Sequence, residues 1–364
     1  RGRFGSLDIN CDLVLADCDA GYFAVEHKDE TVDANGYTRA AKSKYLKKNA
    51  DAYDAVVMGG SKAGVLSTEL LSEYTGKKYY NFYTAYGCFS DYLTYGKWLI
   101  DTVGIREITL HLSSIEVQMY DRSSVNAIYK VPAFVDGNAW DLLLENLNYL
   151  CRNIETSVEY AMEDKSKKEN GMDSLSTGER NYGYAYQLME KDEEKYIKKY
   201  VLPRYKKNLE QLFEEEASIP AADRNIEALQ ELKALCDEKG VTLKVVIGPA
   251  FLAERYKFEG EDYYTYLRKL VEITDIWDFS GSTPENLNPY NFINEGHYKN
   301  AVADEMVDTM YGNGSRENFG ILLTPENISE YIQNRRDGYE KLKQEYTQSG
   351  TVQRQTKEDA SYIS

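Results

Sequence analysis

The chain runs to 364 residues, long enough for one large α/β domain or two smaller ones with a sizeable core. With 42% hydrophobic and 28% charged residues it is globular in composition, and a formal net charge of −17 repels phosphate backbones and anionic lipid, which argues against nucleic-acid binding. Five scattered cysteines, without C-x-x-C spacing or a Cys/His cluster, give no sign of zinc.

Residues 1 to 36 mix short β-like stretches, such as Cys11-Asp12-Leu13-Val14-Leu15, with an Asn35-Gly36 turn signal, and read as an N-terminal extension. A Cys11–Cys18 bridge stays open there. The sequence starts at Arg1 rather than methionine, so a signal peptide or membrane anchor is expected upstream. No apolar run approaches the ~18 residues that a spanning helix needs.

Residues 37 to 51 read as a basic helix, and then strand–helix alternation begins. Residues 55–58 form a buried-type strand, Tyr79–Tyr83 a second and Glu107–Leu112 a third, with 90–102 as a crossover helix. From 136 to 222 the chain turns charged and rich in lysine and glutamate. That stretch reads as a helical insertion, serving as a lid or as a plain spacer.

Alternation resumes at 223. Ile226, Leu229, Leu232, Leu235 and Cys236 recur at helical spacing, and Gly240 suits the residue after a helix C-cap. Strands are expected at 241–247 and 276–279, and a last helix at 299–311 carries Val302, Met306 and Met310 on one face. The tail from 345 is polar. An α/β core over 37–135 and 223–344 is therefore expected, with a parallel sheet covered on both faces. Trp98, Trp140 and Trp277 are read as core residues rather than sugar platforms, Trp140 opening the insertion. The 32 tyrosines suit a wet or carbohydrate-lined groove, or are a habit of composition.

The chemistry concentrates in Met58-Gly59-Gly60-Ser61-Lys62-Ala63-Gly64, which follows the first core strand. One reading is a phosphate-cradling loop, but a dinucleotide fingerprint needs glycine where Ser61 stands and an acid at the end of the second strand. That strand end, Asn81-Phe82-Tyr83-Thr84, has none, and the spacing around Lys62 is not that of a Walker loop. The other reading is a nucleophile turn presenting the Ser61 hydroxyl, which needs a base within reach. Of three histidines, His27 lies in the extension and His111 inside a strand, as a core histidine would. His297 precedes the 299–311 helix. Loops at the C-terminal ends of parallel strands converge on one edge, so His297 is the base that can meet Ser61.

These blocks resemble the SGNH (GDSL-like) hydrolases: a strand ending in Gly-x-Ser, a second block "YNFYTAYG" with Gly87, and a histidine before a late helix. "DAVVMGGSKAG", "NIEALQELKALCDEKGVTLKVVIGP" and "NFINEGHYKNAVADEMV" look like a surface-associated branch of that superfamily. This branch is similar to the O-acetyltransferase and D-alanyl-transfer proteins of bacterial cell-surface polymers. The resemblance covers about residues 37–130 and 223–332. It implies a flavodoxin-like three-layer α/β/α fold, an extracytoplasmic location, and acyl-ester chemistry on acylated carbohydrate or a cell-envelope polymer, with a membrane-protein partner in view. Ser61 would be the nucleophile and His297 the base, the N–H groups of Ser61 and Gly87 would form the oxyanion hole, and no metal or organic cofactor is implied.

Two departures stand out. The family's third block supplies an asparagine to the oxyanion hole, whereas here the third strand runs into Ser113-Ser114-Ile115-Glu116; losing one such donor costs ~10²–10³ in rate. In place of the acid of D-x-x-H stands Asn294, and the comparable Asp-to-Asn change in a serine protease costs ~10⁴. Glu295 and Asp278 are the candidate substitutes for the acid. Besides an esterase or acyltransferase, a catalytically impaired glycan-binding or scaffolding domain and a phosphate-binding α/β protein therefore remain open.

Overall fold

A run such as Ala55-Val56-Val57-Met58 has no polar face, and strands of that kind are buried on both sides within parallel sheets. The computed structural model describes residues 31–33, 38–123, 130–137, 140, 143, 172–203, 218–251, 259–294 and 296–349. Its centre is a six-stranded sheet. In chain order the sheet strands are β2 (Ala55–Gly59), β3 (Tyr79–Tyr83), β4 (Glu107–Leu112), β6 (Thr242–Ile247), β7 (Ile276–Asp278) and β10 (Ile321–Leu323). They lie in the order β10-β7-β6-β4-β2-β3, all parallel except β10, which runs antiparallel to β7 at one edge.

The strand period of two sorts side chains onto two apolar faces. Val56, Met58, Tyr80, Phe82, Ile108, Leu110, Val245 and Ile247 enter one cluster; Ala55, Val57, Tyr79, Tyr83 and Val246 enter the other. Helices α1 (Thr38–Lys48), α3 (Phe89–Trp98), α5 (Ala222–Lys239) and α6 (Glu261–Val271) pack on the first face through Leu46, Tyr92, Leu229 and Leu267. The second face is covered by α2 (Thr68–Thr75), α4 (Gly183–Tyr200) and α7 (Asn300–Met310) through Leu71, Ile197 and Met306. The long α8 (Ile328–Ser349) contributes Ile332 to the first cluster and Leu342 to the second. The expectation was α/β with a parallel sheet covered on both faces; the sheet is mostly parallel, and β10 adds an antiparallel edge strand that was not expected.

The connections from β2 decide where a site forms. The chain leaves β2 through α2 to β3 on one side, then crosses back through α3 to β4 on the other. Successive connections that depart to opposite sides open a crevice at the carboxyl ends of the two central strands. Gly59, the last residue of β2, lies level with Tyr83 on one side and His111 on the other. Ser61 stands just above them.

Several expectations are corrected. The helix before Tyr311 is not the last, because α8 follows, its polar sequence hiding an apolar stripe of Ile328, Tyr331, Ile332 and Leu342. Trp140 is 69% exposed rather than in the core, whereas Trp98 is buried. The stretch 136–222 is not only helical: β5 (Met172–Ser174) pairs antiparallel with β1 (Thr31–Asp33) in a small sheet of its own. The Cys11–Leu15 stretch, Cys18, His27 and the Asn35-Gly36 turn lie outside the described residues.

Candidate active site

The turn after β2 is built by close packing. A Cβ on Gly59 would lie 2.5 Å from the His111 carbonyl, and one on Gly64 would lie 2.8 Å from Arg180 Cβ. Both glycines therefore admit protein rather than a phosphate, which removes the main support for a nucleotide loop. Between them, residues Ser61–Val65 form a short 3-10 turn rather than the start of an α-helix. Asn81, fully buried in β3, holds that turn from beneath: its Nδ2 donates to the carbonyls of Ala63 (2.8 Å) and Leu66 (3.0 Å).

His297 sits not in an open loop but on β9 (His297–Tyr298), paired with β8 (Phe292–Asn294) in a tight antiparallel hairpin. The hairpin is anchored below by Tyr298, whose hydroxyl is 2.9 Å from Nε2 of the buried His111. This brings His297 Nε2 to 2.8 Å from Ser61 Oγ, across 236 positions of sequence. On its far side His297 Nδ1 is 2.9 Å from Asn294 Oδ1, and the Gly296 N–H donates to the same oxygen at 2.9 Å. Two donors converging on Oδ1 orient the amide with its oxygen toward the ring. Nδ1 then carries the proton and Nε2 offers its lone pair to the serine hydroxyl, the tautomer a general base requires. Burial, followed by the positive charges of Arg180 and Lys62, lowers the His297 pKa to about 3. The ring is neutral across the ordinary pH range.

The candidate substitutes for the acid fare differently. Asp278 lies at the end of β7 and is engaged elsewhere, with Arg335 Nη1 at 3.0 Å, the Tyr331 hydroxyl at 2.7 Å and the Ser280 N–H at 2.7 Å. It does not serve His297. Glu295 lies outside the described residues. The position next to the imidazole belongs to Asn294.

The expected oxyanion loop is beside the turn, but its donor is occupied: the Gly87 N–H donates to the Thr84 carbonyl at 3.0 Å. A Cβ on Gly87 would meet the Tyr92 hydroxyl at 3.0 Å, and one on Gly60 would meet it at 3.6 Å. Tyr92 donates to Glu116 Oε1 (2.6 Å), while Glu116 Oε2 accepts the Ser113 N–H. Glu116 Oε1 is 3.5 Å from the same Gly60 Cβ position, so where the resemblance puts an asparagine this chain places a buried carboxyl. Burial raises its pKa to about 7, against the pull of its hydrogen bonds and of Lys62 and Arg122. Arg39 supports this wall from α1, donating to Asp91 Oδ2 (2.8 Å) and the Ala85 carbonyl (3.2 Å).

The opposite wall went unread in the sequence. Residues 173–182 run along edge strand β3 and onto the turn. The Asn81 N–H donates to Thr177 O (2.8 Å), and buried Lys42 donates to Gly178 O (2.6 Å) as well as to the Asn81 and Tyr83 carbonyls. Glu179 accepts from the Thr68 N–H (2.7 Å) and hydroxyl (2.6 Å) at the start of α2. The Arg180 N–H donates to Gly64 O (2.8 Å), and the Tyr182 ring lies 5.8 Å from that of His297.

Among the described residues, no group of three or more His, Cys, Asp or Glu is placed to hold a metal, and no helix is long and apolar enough to cross a membrane. Compared with family models, curated proteins and solved structures, the chain finds no match. The class that fold and geometry define is an α/β protein with a serine–histidine–asparagine relay at the carboxyl edge of a parallel sheet.

Proposed function

We propose that the chain is a serine-dependent esterase or acyltransferase acting on an O-acetyl or other short acyl ester of a carbohydrate or cell-envelope polymer. The observation that carries this reading is the unbroken relay of Ser61 Oγ, His297 and Asn294 Oδ1, with contacts of 2.8 and 2.9 Å. The order of the parallel strands, β3-β2-β4-β6-β7, is flavodoxin-like, which is the arrangement implied by the SGNH resemblance.

Ser61 Oγ attacks the acyl carbonyl while its proton passes to His297 Nε2; the His297 Nδ1–H keeps donating to Asn294 Oδ1, which holds the ring in line. Collapse of the tetrahedral adduct expels the polymer hydroxyl, which takes the proton back from His297. Water or a second sugar hydroxyl then attacks the acyl-serine in the same way, giving hydrolysis or transfer. On this reading the substrate lies outside the cytoplasm, and a membrane protein is a fitting partner.

A second reading has its own support. With an amide in place of the acid and a carboxyl beside Gly60, the domain would instead bind acylated glycan without turning it over. Acetyl release from p-nitrophenyl acetate and from acetylated xylan, compared with Ser61→Ala and His297→Ala, separates the two. Turnover lost in both variants is expected; release no faster than in the variants leaves the binding role.

A further inference from the structure

Among the described residues, Arg39 meets Asp91, Arg316 meets Glu285, and Arg335 meets both Glu259 and Asp278. Arg180, partly buried, has no such pair. Among the described residues no carboxylate lies within ion-pair distance of it, and its Nε is buried with no hydrogen-bond partner. Its guanidinium rests 4.9 Å over the Tyr182 ring, which occupies one π face but none of its five N–H donors. A partly desolvated guanidinium, with Asp173 acting on it only from beyond ion-pair distance, gains from an anion that pairs with it directly.

Its position says what that partner accompanies. The Arg180 N–H is bound to Gly64 O, three residues beyond Ser61, and Gly64 has no side chain where Arg180 Cβ approaches. Tyr182, under the guanidinium, faces the His297 ring at 5.8 Å. Arg180 is thus one aromatic ring away from the base. Arg122, 5.5 Å over the exposed Tyr86 ring, adds a second cation close to Gly87, and buried Lys62 follows Ser61 directly. Three cations, Arg180, Arg122 and Lys62, thus stand near the serine in a chain of net charge −17.

We propose that Arg180 binds an anionic group, a carboxylate or a phosphate, carried by the substrate on the unit next to the scissile ester. This rests on the ester-processing reading of Ser61 and His297. A planar oxyanion takes two parallel N–H bonds from a guanidinium, so the site selects charge and orientation together. Release of the acyl group then occurs with the anion held and the carbonyl over Ser61.

Matched substrates that differ only in charge test it. Acetylated oligogalacturonate is compared with its methyl ester for the carboxylate, and 1-O-acetylglycerol 3-phosphate with 1-O-acetylglycerol for the phosphate. The charged member of at least one pair is expected to be favoured about tenfold or more in kcat/KM, mostly through KM, as for one charge-assisted bond. Arg180→Gln should bring that ratio close to one and Arg180→Lys should keep part of it, with thermal melts checking that each variant folds. The arm that responds identifies the anion. No preference in either arm, or one that survives Arg180→Gln, overturns the proposal.

Should no ester turnover depend on Ser61, the esterase reading fails by itself, and binding decides the anion site. Calorimetry on Ser61→Ala with unacetylated oligogalacturonate and glycerol 3-phosphate should then show Arg180-dependent binding over the methyl ester and glycerol. Equal binding, or none, overturns it.

Discussion

The two walls of the site are made in different ways. One is the turn 59–66 with the 292–298 hairpin, where Ser61 and His297 meet across the sheet edge. The other is the 173–182 segment, which brings Arg180 and Tyr182. In the first, Ser61 follows β2 of the central sheet and His297 sits on the β8–β9 hairpin, so strand pairing sets both places. In the second, placement depends on single polar groups scattered over α1, β3 and α2: Lys42, Asn81 and Thr68. A wall fixed by the sheet should resist local change, while a wall fixed by a few buried polar contacts should be lost one contact at a time.

Lys42→Met is the largest expected break in that contrast. It removes the donor to three carbonyls and the cation that stands 3.8 Å from buried Asp173. Removing one partner of a buried pair costs about 3–5 kcal/mol. Urea unfolding should read a loss of that size, and limited proteolysis should cut first within 172–182. Cleavage no faster there than in the wild type would mean that the segment does not depend on Lys42.

Asn294 sharpens the other half. Because its oxygen already faces the ring, the amide supplies orientation and lacks only charge. Asn294→Asp should therefore raise kcat by about tenfold, well short of the ~10⁴ seen where an amide imposes the wrong tautomer. Asn294→Ala should lower it by about tenfold to a hundredfold. If Asp and Asn gave equal rates, imidazolium stabilisation would not limit the reaction.

How far each wall was legible follows from the same contrast. The strands at 55, 79, 107 and 242 are continuous apolar runs, and the parallel sheet forces the loops after them onto one edge, so Ser61 and His297 were paired from sequence. Asn294 was named only through the resemblance, whose last block has an acid three residues before the histidine. Arg180 was not legible, since no periodicity or motif marks a residue whose place is set by Gly64 and by Glu179 on Thr68. Glu116 was seen only as a missing asparagine; its closeness to Gly60 depends on the Tyr92 hydroxyl, which reaches it from α3. Asp278 failed as a substitute acid because Arg335 and Tyr331, on a helix the sequence hid, hold it on another part of the fold.

A smaller effect belongs to Glu179. Glu179→Ala removes the carboxylate that caps the first turn of α2 and should cost about 1–2 kcal/mol, the range for a lost N-cap. Equilibrium unfolding measures it. Since the segment also carries Arg180, the variant should weaken discrimination between charged and neutral esters while the Ser61–His297 contact stays in place. An unchanged discrimination would show that Arg180 is positioned by Gly64 and Tyr182 alone.

The pH profile engages both walls at once. His297 must be neutral to act, and with its pKa lowered from 6.5 to about 3 by burial and by the cations Arg180 and Lys62, the acid limb of kcat/KM should lie near pH 3. Stability moves the same way. His111 too is lowered to about 3 by burial, so between 6.5 and 3 the unfolded chain binds more protons at both rings, and stability is lost as pH falls through that window. Glu116 works in the other direction: raised from 4.5 to about 7, it is neutral below that pH and places a negative charge beside Gly60 above it. That charge opposes the developing oxyanion, with Lys62 and Arg122 tempering it. Activity should fall as pH rises through about 7, and Glu116→Gln, neutral at every pH, should remove this limb while keeping the acid one. An alkaline limb that persists in Glu116→Gln would assign it to another group and leave the carboxyl a structural partner of Tyr92.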